Sequence, residues 1–327
     1  MNLTGRNMDR KEINVAILGA TGHIAKGLIY NYCKKKDCRL FLFSRSVERV
    51  EKFLDTIENK EAKILVNHYE VFDNFQYDVI INCVGMYDLK RIEESGIELF
   101  RLTESFDNLV LDHITKYPGT IYINLSSGAV YGDVFNEPAN ENTIARIDVN
   151  HMKIEDFYTL AKLHSEAKHR ALSQLNIIDI RIFSYYSRFL DINSKFFLSE
   201  IIRCIFEKKD FVTNSKDIVR DYVHPLDLLS LISLIEEYAQ NNMINQALDV
   251  YSLKPVTKFE ILDFFKIHYG LKVIINEDVN AGRAGLKNEY YSLNKKAEML
   301  GYIPRYTSLQ GIEEETRELL KNAGEFL

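Results

Sequence analysis

The feature that most constrains this chain lies near its start, where the β-branched apolar run Ile13 to Leu18 stops at Gly19-Ala20-Thr21-Gly22 and an amphipathic stretch from Ile24 to Lys36 follows at once. A short buried strand, a tight turn and a helix are the local structures that such a pattern allows. Glycines at the turn let the backbone approach a ligand closely, and the start of the helix presents free N–H groups and the positive end of a dipole. The pattern therefore predicts that Gly19, Thr21, Gly22, His23 and Ile24 cradle the pyrophosphate of a dinucleotide. Ala25 stands at the third glycine position, where one methyl group is a mild departure.

The alternation continues downstream. Apolar runs at Leu40 to Phe43, Ile64 to Val66, Val79 to Val84, Thr120 to Leu125 and Ile177 to Phe183 read as strands, and helical patterns occupy Val47 to Asn59, Ile97 to Thr115 and Lys153 to Leu175. Strands alternating with helices predict an α/β fold of the Rossmann type, a doubly wound parallel sheet. Beyond Phe183 the pattern loosens, with breakers at Pro225, Pro255 and Pro304, which predicts a smaller mixed α/β C-terminal substrate lobe. The expected division is a dinucleotide-binding domain over 12–186, with 222–250 packing back onto it, and a smaller lobe over 187–327. A length of 327 residues accommodates both.

Composition narrows the function. A formal charge of −6 disfavours a partner held by phosphate contacts along a nucleic acid. The four cysteines lack C-x-x-C spacing and read as reduced thiols. No apolar run is long enough to span a bilayer, and Met1 to Glu12 is polar, so a cytoplasmic protein with no membrane contact is expected.

At the end of the second strand, an acidic residue would bind a ribose 2′-hydroxyl, whereas an arginine accommodates a 2′-phosphate. Ser44, Arg45 and Ser46 stand there, with no carboxylate before Glu48. NADP(H) is therefore expected ahead of NAD(H), although most arginines are simply solvated cations. Tyr158 and Lys162 are four apart on a helical pattern and share a face. An ammonium beside a phenol favours the phenolate and makes proton exchange at neutral pH easier, and Lys162 can also reach the cofactor ribose. Ser127, at the carboxyl edge of a central strand, is placed to hold a substrate oxygen, or else to satisfy strand-end backbone groups.

With these pieces in order, the chain resembles the extended short-chain dehydrogenase/reductases, in the branch that modifies nucleotide-activated sugars. The resemblance runs from about Val15 to the last helix. It rests on the Gly19 loop, Asn82-Cys83-Val84-Gly85, Ser126-Ser127 with Ala129-Val130-Tyr131-Gly132, Tyr158-x-x-x-Lys162, and Arg181-Ile182-Phe183. Arg220 to Leu228, Arg283-Ala284-Gly285 and Leu300-Gly301-Tyr302-x-Pro304 complete it. The resemblance implies that Ser127, Tyr158 and Lys162 are the catalytic trio and that Cys83, Val84 and Gly85 border the cofactor. It also implies that Arg220 and Arg283 bind the diphosphate of a nucleotide sugar, although two distant arginines could equally form surface ion pairs. Tyr185, Tyr186, Arg188 and Lys195 are further candidates for sugar or phosphate contacts, whereas Asp221, His224 and Asp227 read as structural groups at the junction of the lobes. No metal site is expected.

Departures from the family sharpen the reading. Related dehydratases carry an acid beside the catalytic serine or threonine, where this chain has Gly128-Ala129, and the combined epimerase-reductases carry a cysteine where Ala129 stands. Ser184 replaces a common asparagine. The expectation is an NADPH-dependent reductase of a keto group at carbon 4 of a nucleotide-linked deoxy sugar, with an NAD-dependent 4-epimerase as the alternative. A dinucleotide sensor without chemistry is disfavoured by the intact trio. Helical patterns Ile97 to Thr115 and Lys153 to Leu175 resemble those through which relatives pair, so a homodimer is expected.

Overall fold

A computed structural model describes residues 12–86, 95–132, 135–278 and 287–322. Strands β1 (Ile13–Leu18), β2 (Cys38–Phe43), β3 (Lys63–Asn67), β4 (Val79–Asn82), β5 (Ile121–Ser127) and β6 (Ile177–Ile182) alternate with helices α1 (His23–Tyr32), α2 (Val47–Asp55), α3 (Gly96–Lys116) and α4 (Ile154–Ala171). After them come β7 (Ser184–Tyr185), α5 (Phe197–Glu207), β8 (Phe211–Thr213), β9 (Val219–Arg220), β10 (Tyr222–Val223), α6 (Pro225–Ala239) and β11 (Asn245–Val250). The remaining elements are β12 (Val256–Thr257), α7 (Lys258–Tyr269), β13 (Val273–Ile275), β14 (Glu289–Tyr290) and α8 (Ser308–Asn322).

Seven strands form one sheet in the order β11-β6-β5-β4-β1-β2-β3, and every neighbouring pair is parallel. This is the expected doubly wound α/β fold. The chain starts in the middle, runs outward to β3, and returns to place β4 on the other side of β1. The order reverses between β1 and β4, so the crevice at their carboxyl ends is the natural ligand position. Helices α1 and α2 stop at Tyr32 and Asp55, short of the periodic patterns. Past each end the backbone passes into tighter turn bonds, Lys34 N–H to Asn31 O and Lys35 N–H to Tyr32 O after the first, Thr56 N–H to Phe53 O and Ile57 N–H to Leu54 O after the second, and Asn59 takes a positive φ of 52° beyond them.

Alternating residues of each strand feed two different layers. Val15, Ile17, Leu40, Leu42, Ile123, Leu125, Ile178 and Ile180 pack against Leu28 and Ile29 of α1, Val50 and Leu54 of α2 and Leu231 and Ile232 of α6. Ala16, Leu18, Phe41, Phe43 and Ile80 face the other way, toward Val110 and Ile114 of α3. Beneath α4 the same face turns polar: Asn124 and Ser126 on β5 stand in register with Asp179 and Arg181 on β6, and Asp249 on β11 follows Arg181. All of these except Arg181 are buried.

A second core gathers Ile201 and Ile202 of α5, Leu262 and Phe265 of α7 and Ile312 of α8. Pieces of the C-terminal half also join the first core. Besides α6 and β11, Ala297, Leu300 and Tyr302 pack into it, although the sequence reading assigns 251–327 wholly to the smaller lobe.

Candidate active site

The glycine loop is built by backbone contacts that a side chain would obstruct. Gly19 has φ +75°, and a Cβ on it would lie 3.1 Å from the Cys83 carbonyl and the Val84 nitrogen. Its N–H donates to Phe43 O and to the Tyr69 hydroxyl, both at 3.0 Å. Gly22 caps α1 with no side-chain hydrogen bond, and the first turn holds no acid, so the helix N-terminus presents donors toward an anion. His23 opens that helix, yet burial first of all pushes its imidazole down to about 4. It stays neutral and adds no cation to the loop. The position requiring close packing is Gly27 rather than Ala25: the Tyr185 hydroxyl lies where a Gly27 side chain would begin. Tyr185 also meets the His23 ring edge-on with centroids 5.0 Å apart, which places it beneath the glycine-loop helix. Its expected role as a sugar contact is replaced in this geometry by support of that helix.

At the end of β2, Ser44 is buried and its Oγ accepts from Ser46 N–H at 3.1 Å. Arg45 is exposed beside this turn, and its charge is felt at Tyr69, the tyrosine bonded to Gly19. Glu48, the first carboxylate after the strand, is exposed and accepts from Ser46 Oγ at 3.2 Å. At the end of β4, Val84 N–H donates to Asn82 Oδ1 at 3.0 Å, and Gly85 faces open space. Burial pushes the Cys83 thiol up to about 12, against the opposing charge of Lys162. The loop, the β4 end and α4 therefore meet in one crevice.

Lys162 is buried and donates to Leu125 O at 2.8 Å, which ties α4 to β5. Tyr158, one turn earlier, packs with Phe157, Leu99, Met86 and Ala161. Ser127 ends β5, and its Oγ accepts from Ala129 N–H at 3.2 Å as the cap of a 3-10 turn over Gly128–Tyr131. The smaller lobe reaches the same point. The Tyr290 hydroxyl lies 3.4 Å from Ser127 Oγ, and its phenol is pushed up chiefly by burial and further by neighbouring Tyr158. Arg220 stands in register with Tyr290 on β9 and β14, buried, with its guanidinium 5.7 Å from the Tyr290 ring centre. Ser127, Tyr158, Lys162 and Arg220 thus lie around one crevice, and Tyr290, Tyr69 and Gly27 stand there too, without a signal in the sequence reading. Alternation gave no signal for the first two, since each is one tyrosine among nineteen.

Other candidates lie elsewhere. Lys195 is exposed ahead of α5, and among the described residues no contact joins it to Ser127. Tyr186 bonds Thr316 at 2.8 Å and Arg188 forks onto Glu315 at 2.6 and 3.0 Å, so both are committed to α8 rather than to a ligand. Arg283 lies outside the described residues. His224, Asp221 and Asp227 are structural, as expected: His224 Nδ1 accepts from Leu226 N–H, Asp221 accepts from Ser252 N–H, and Asp227 accepts from Arg305 N–H. His224 also clusters with Glu314 and Glu315. Because Nδ1 is the acceptor, Nε2 carries the proton that faces Glu315, and that nitrogen has no lone pair for a metal.

A glycine cradle at the switch point, a serine at the end of β5 and a Tyr-x-x-x-Lys helix define a dinucleotide-dependent α/β enzyme. The family model described as NAD dependent epimerase/dehydratase matches residues 15–248, more than half of the chain, and the chain belongs to that family. A comparison with curated protein sequences gave no match. Among solved structures, a UDP-glucose-4-epimerase from Stenotrophomonas maltophila with bound NAD and formylated UDP-arabinopyranose superposes with TM-score 0.77, at 14% identity over 95% of this chain and 99% of that one. A dTDP-glucose 4,6-dehydratase from Bacillus anthracis in complex with NAD gives TM-score 0.74, at 16% identity over 96% and 98%. A UDP-glucuronic acid 4-epimerase from Bacillus cereus with UDP-glucuronic acid and NAD gives 0.76, at 14% over 95% and 100%. At such identities the likeness establishes the fold. Among the described residues no helix is long and apolar enough to cross a membrane.

Proposed function

We propose that this enzyme is an NADPH-dependent reductase acting on a keto group at carbon 4 of a nucleotide-activated deoxy sugar. The observation that carries the reading is the end of β2, where Arg45 is exposed beside the glycine loop and the first carboxylate, Glu48, is turned to Ser46. A guanidinium there suits a 2′-phosphate, and no acid competes for the ribose hydroxyl. The uncapped start of α1 and the space kept by Gly19 fit a pyrophosphate. The dinucleotide, when bound, supplies the hydride.

The chain's own groups do the rest. Ser127 Oγ holds the keto oxygen, and Tyr158 gives that oxygen its proton as it becomes a hydroxyl. Lys162, fixed by its bond to Leu125 O, keeps a positive charge beside Tyr158 and steadies the phenolate left behind. Arg220 and Arg283 take the diphosphate, and Tyr290 closes the lobe over Ser127. Within the dinucleotide-binding part we place 12–186 with 222–250, and we place the nucleotide-sugar contacts in the remainder. We also propose a homodimer through α3 and α4.

An NAD-dependent 4-epimerase is the second reading, favoured by the epimerases with bound NAD among the structural neighbours. One experiment separates the two. Purified protein is analysed for copurifying dinucleotide and then offered 4-keto and 4-hydroxy nucleotide sugars, with NADPH or without it. Consumption of NADPH with a 4-keto sugar supports the reductase. Tightly held NAD with interconversion of two 4-hydroxy epimers, in the absence of added cofactor, overturns it.

A further inference from the structure

Tyr158, Lys162 and Glu166 follow one another at four-residue spacing on α4, so they share one stripe of the helix. The chemistry proposed above, on which this inference rests, uses the first two. Glu166 is also buried, and its bonds go to the surroundings of the catalytic serine. Its Oε1 accepts from Ser126 Oγ at 2.6 Å, and Arg181 on β6 grips both of its oxygens, at 2.6 Å from Nη2 and 3.1 and 3.2 Å from Nε. Arg181 Nη1 then donates to the Tyr131 hydroxyl at 2.9 Å, and Tyr131 donates to Asp249 at 2.8 Å.

The two ends of this chain of bonds bracket the segment that carries Ser127. Ser126 precedes the serine, and Tyr131 closes the 3-10 turn that the serine caps. We propose that Glu166, paired with Arg181, is a positioning residue that holds the Ser126–Tyr131 segment in register with the helix face bearing Tyr158 and Lys162. Stability alone gives weak grounds for such a group, because a buried ion pair contributes little beyond what apolar packing would. Geometry gives strong ones. The single bond from Lys162 to Leu125 O ends on a rotatable ammonium, whereas the planar fork of Arg181 on Glu166 fixes direction as well as distance. Without it, the tie between the Ser127 segment and the Tyr158 face would fall to the Lys162–Leu125 bond and to His169 one turn further along α4, and a misplacement near 1 Å costs on the order of a hundredfold in rate.

The test uses the full chain and two variants. Ser126→Ala cuts the link and leaves the Glu166–Arg181 pair whole, so it keeps the fold; Glu166→Gln removes the fork. Turnover is measured per bound dinucleotide on UDP- and dTDP-linked hexoses and their 4-keto derivatives. A 3-fluorotyrosine placed at position 158 reports its surroundings by 19F NMR without any substrate. Both variants are expected to bind dinucleotide and sugar nucleotide within about twofold of the parent while kcat falls roughly tenfold or more. The 19F line is expected to move or broaden, and the double variant to be no slower than Glu166→Gln alone. A parental kcat per loaded site together with an unmoved 19F line overturns the proposal, whichever variant supplies it. If the parent protein turns over none of the sugars, the nucleotide-sugar reading falls, and the 19F result still decides the role of Glu166.

Discussion

His169 gives the sharpest prediction about stability. It is fully buried on α4, with Nδ1 2.8 Å from Asp179 Oδ1 and Nε2 2.7 Å from Asp107 Oδ1. Burial alone would lower its pKa, but the hydrogen bonds that its ring N–H groups donate to both carboxylates outweigh that and bring it from 6.5 to about 9. The folded protein therefore holds a proton that the unfolded chain releases above pH 6.5. The stability it contributes is complete below 6.5 and is lost as pH rises toward about 9. At about 1.4 kcal/mol for each pH unit, the loss amounts to about 3 kcal/mol. With no tryptophan in the chain, far-UV circular dichroism during urea titration at pH 6 to 9.5 follows unfolding directly. Replacing His169 by Phe leaves Asp107 and Asp179 facing each other with only Lys168 and Arg170 to balance them. That variant should lose about 3 to 5 kcal/mol at pH 7, as expected when one partner of a buried charge cluster is removed. Its alkaline decline should vanish. A variant that declines with the parental slope, or an NMR titration placing the His169 ring near 6.5, would refute the reasoning.

Three further outcomes follow from the site. Tyr158→Phe should retain dinucleotide affinity in a binding titration while turnover falls by roughly 10² to 10⁴; unchanged turnover would assign the proton to another group. Gly19→Ala forces a methyl against the Cys83–Val84 backbone at φ +75°, so melting should show a loss of about 1–2 kcal/mol or more, with dinucleotide affinity falling as well. Arg45→Glu should reverse the ratio of NADPH to NADH dissociation constants by roughly tenfold to a hundredfold, the scale of a charge-assisted hydrogen bond turned repulsive; an unaltered ratio would remove Arg45 from the cofactor site.

The parts legible in the sequence were those with local causes. The run Ile13 to Leu18 ending at Gly19 specifies strand and turn by itself, and the Tyr158–Lys162 spacing specifies one helix face. What stayed hidden depends on partners distant in the chain. Tyr290 reaches Ser127 only because β14 pairs with β9, and Gly27 matters only because Tyr185, across the fold, occupies its missing side chain. Some signals were present and passed over. In Ile121-Tyr122-Ile123-Asn124-Leu125-Ser126 and in Ile178-Asp179-Ile180-Arg181-Ile182 every second residue is polar, although both strands lie in the middle of a parallel sheet whose faces are normally apolar. That alternation marked a buried polar layer.

The layer explains how one helix can be a scaffold and also carry the tyrosine and lysine proposed to act in catalysis. Along α4, Lys162 bonds Leu125 O, Glu166 bonds Ser126 and Arg181, and His169 bonds Asp107 and Asp179, so successive turns meet successive polar groups of β5 and β6. From Asp107 the bonding continues through the Tyr122 hydroxyl at 2.8 Å to Asn82 at 3.1 Å, and Asn82 in turn receives Val84 N–H. The β4 end at Val84 and the helix bearing Tyr158 are thus joined through β5 and β6 by directional bonds. Apolar packing tolerates small slides of a helix over a sheet, because its attraction has no direction. Hydrogen bonds between buried groups do not tolerate them, since each slide leaves a donor or acceptor without its partner at a cost of about 1–3 kcal/mol. An apolar α4 would serve a fold of this shape equally well, but the polar one specifies where its tyrosine stops.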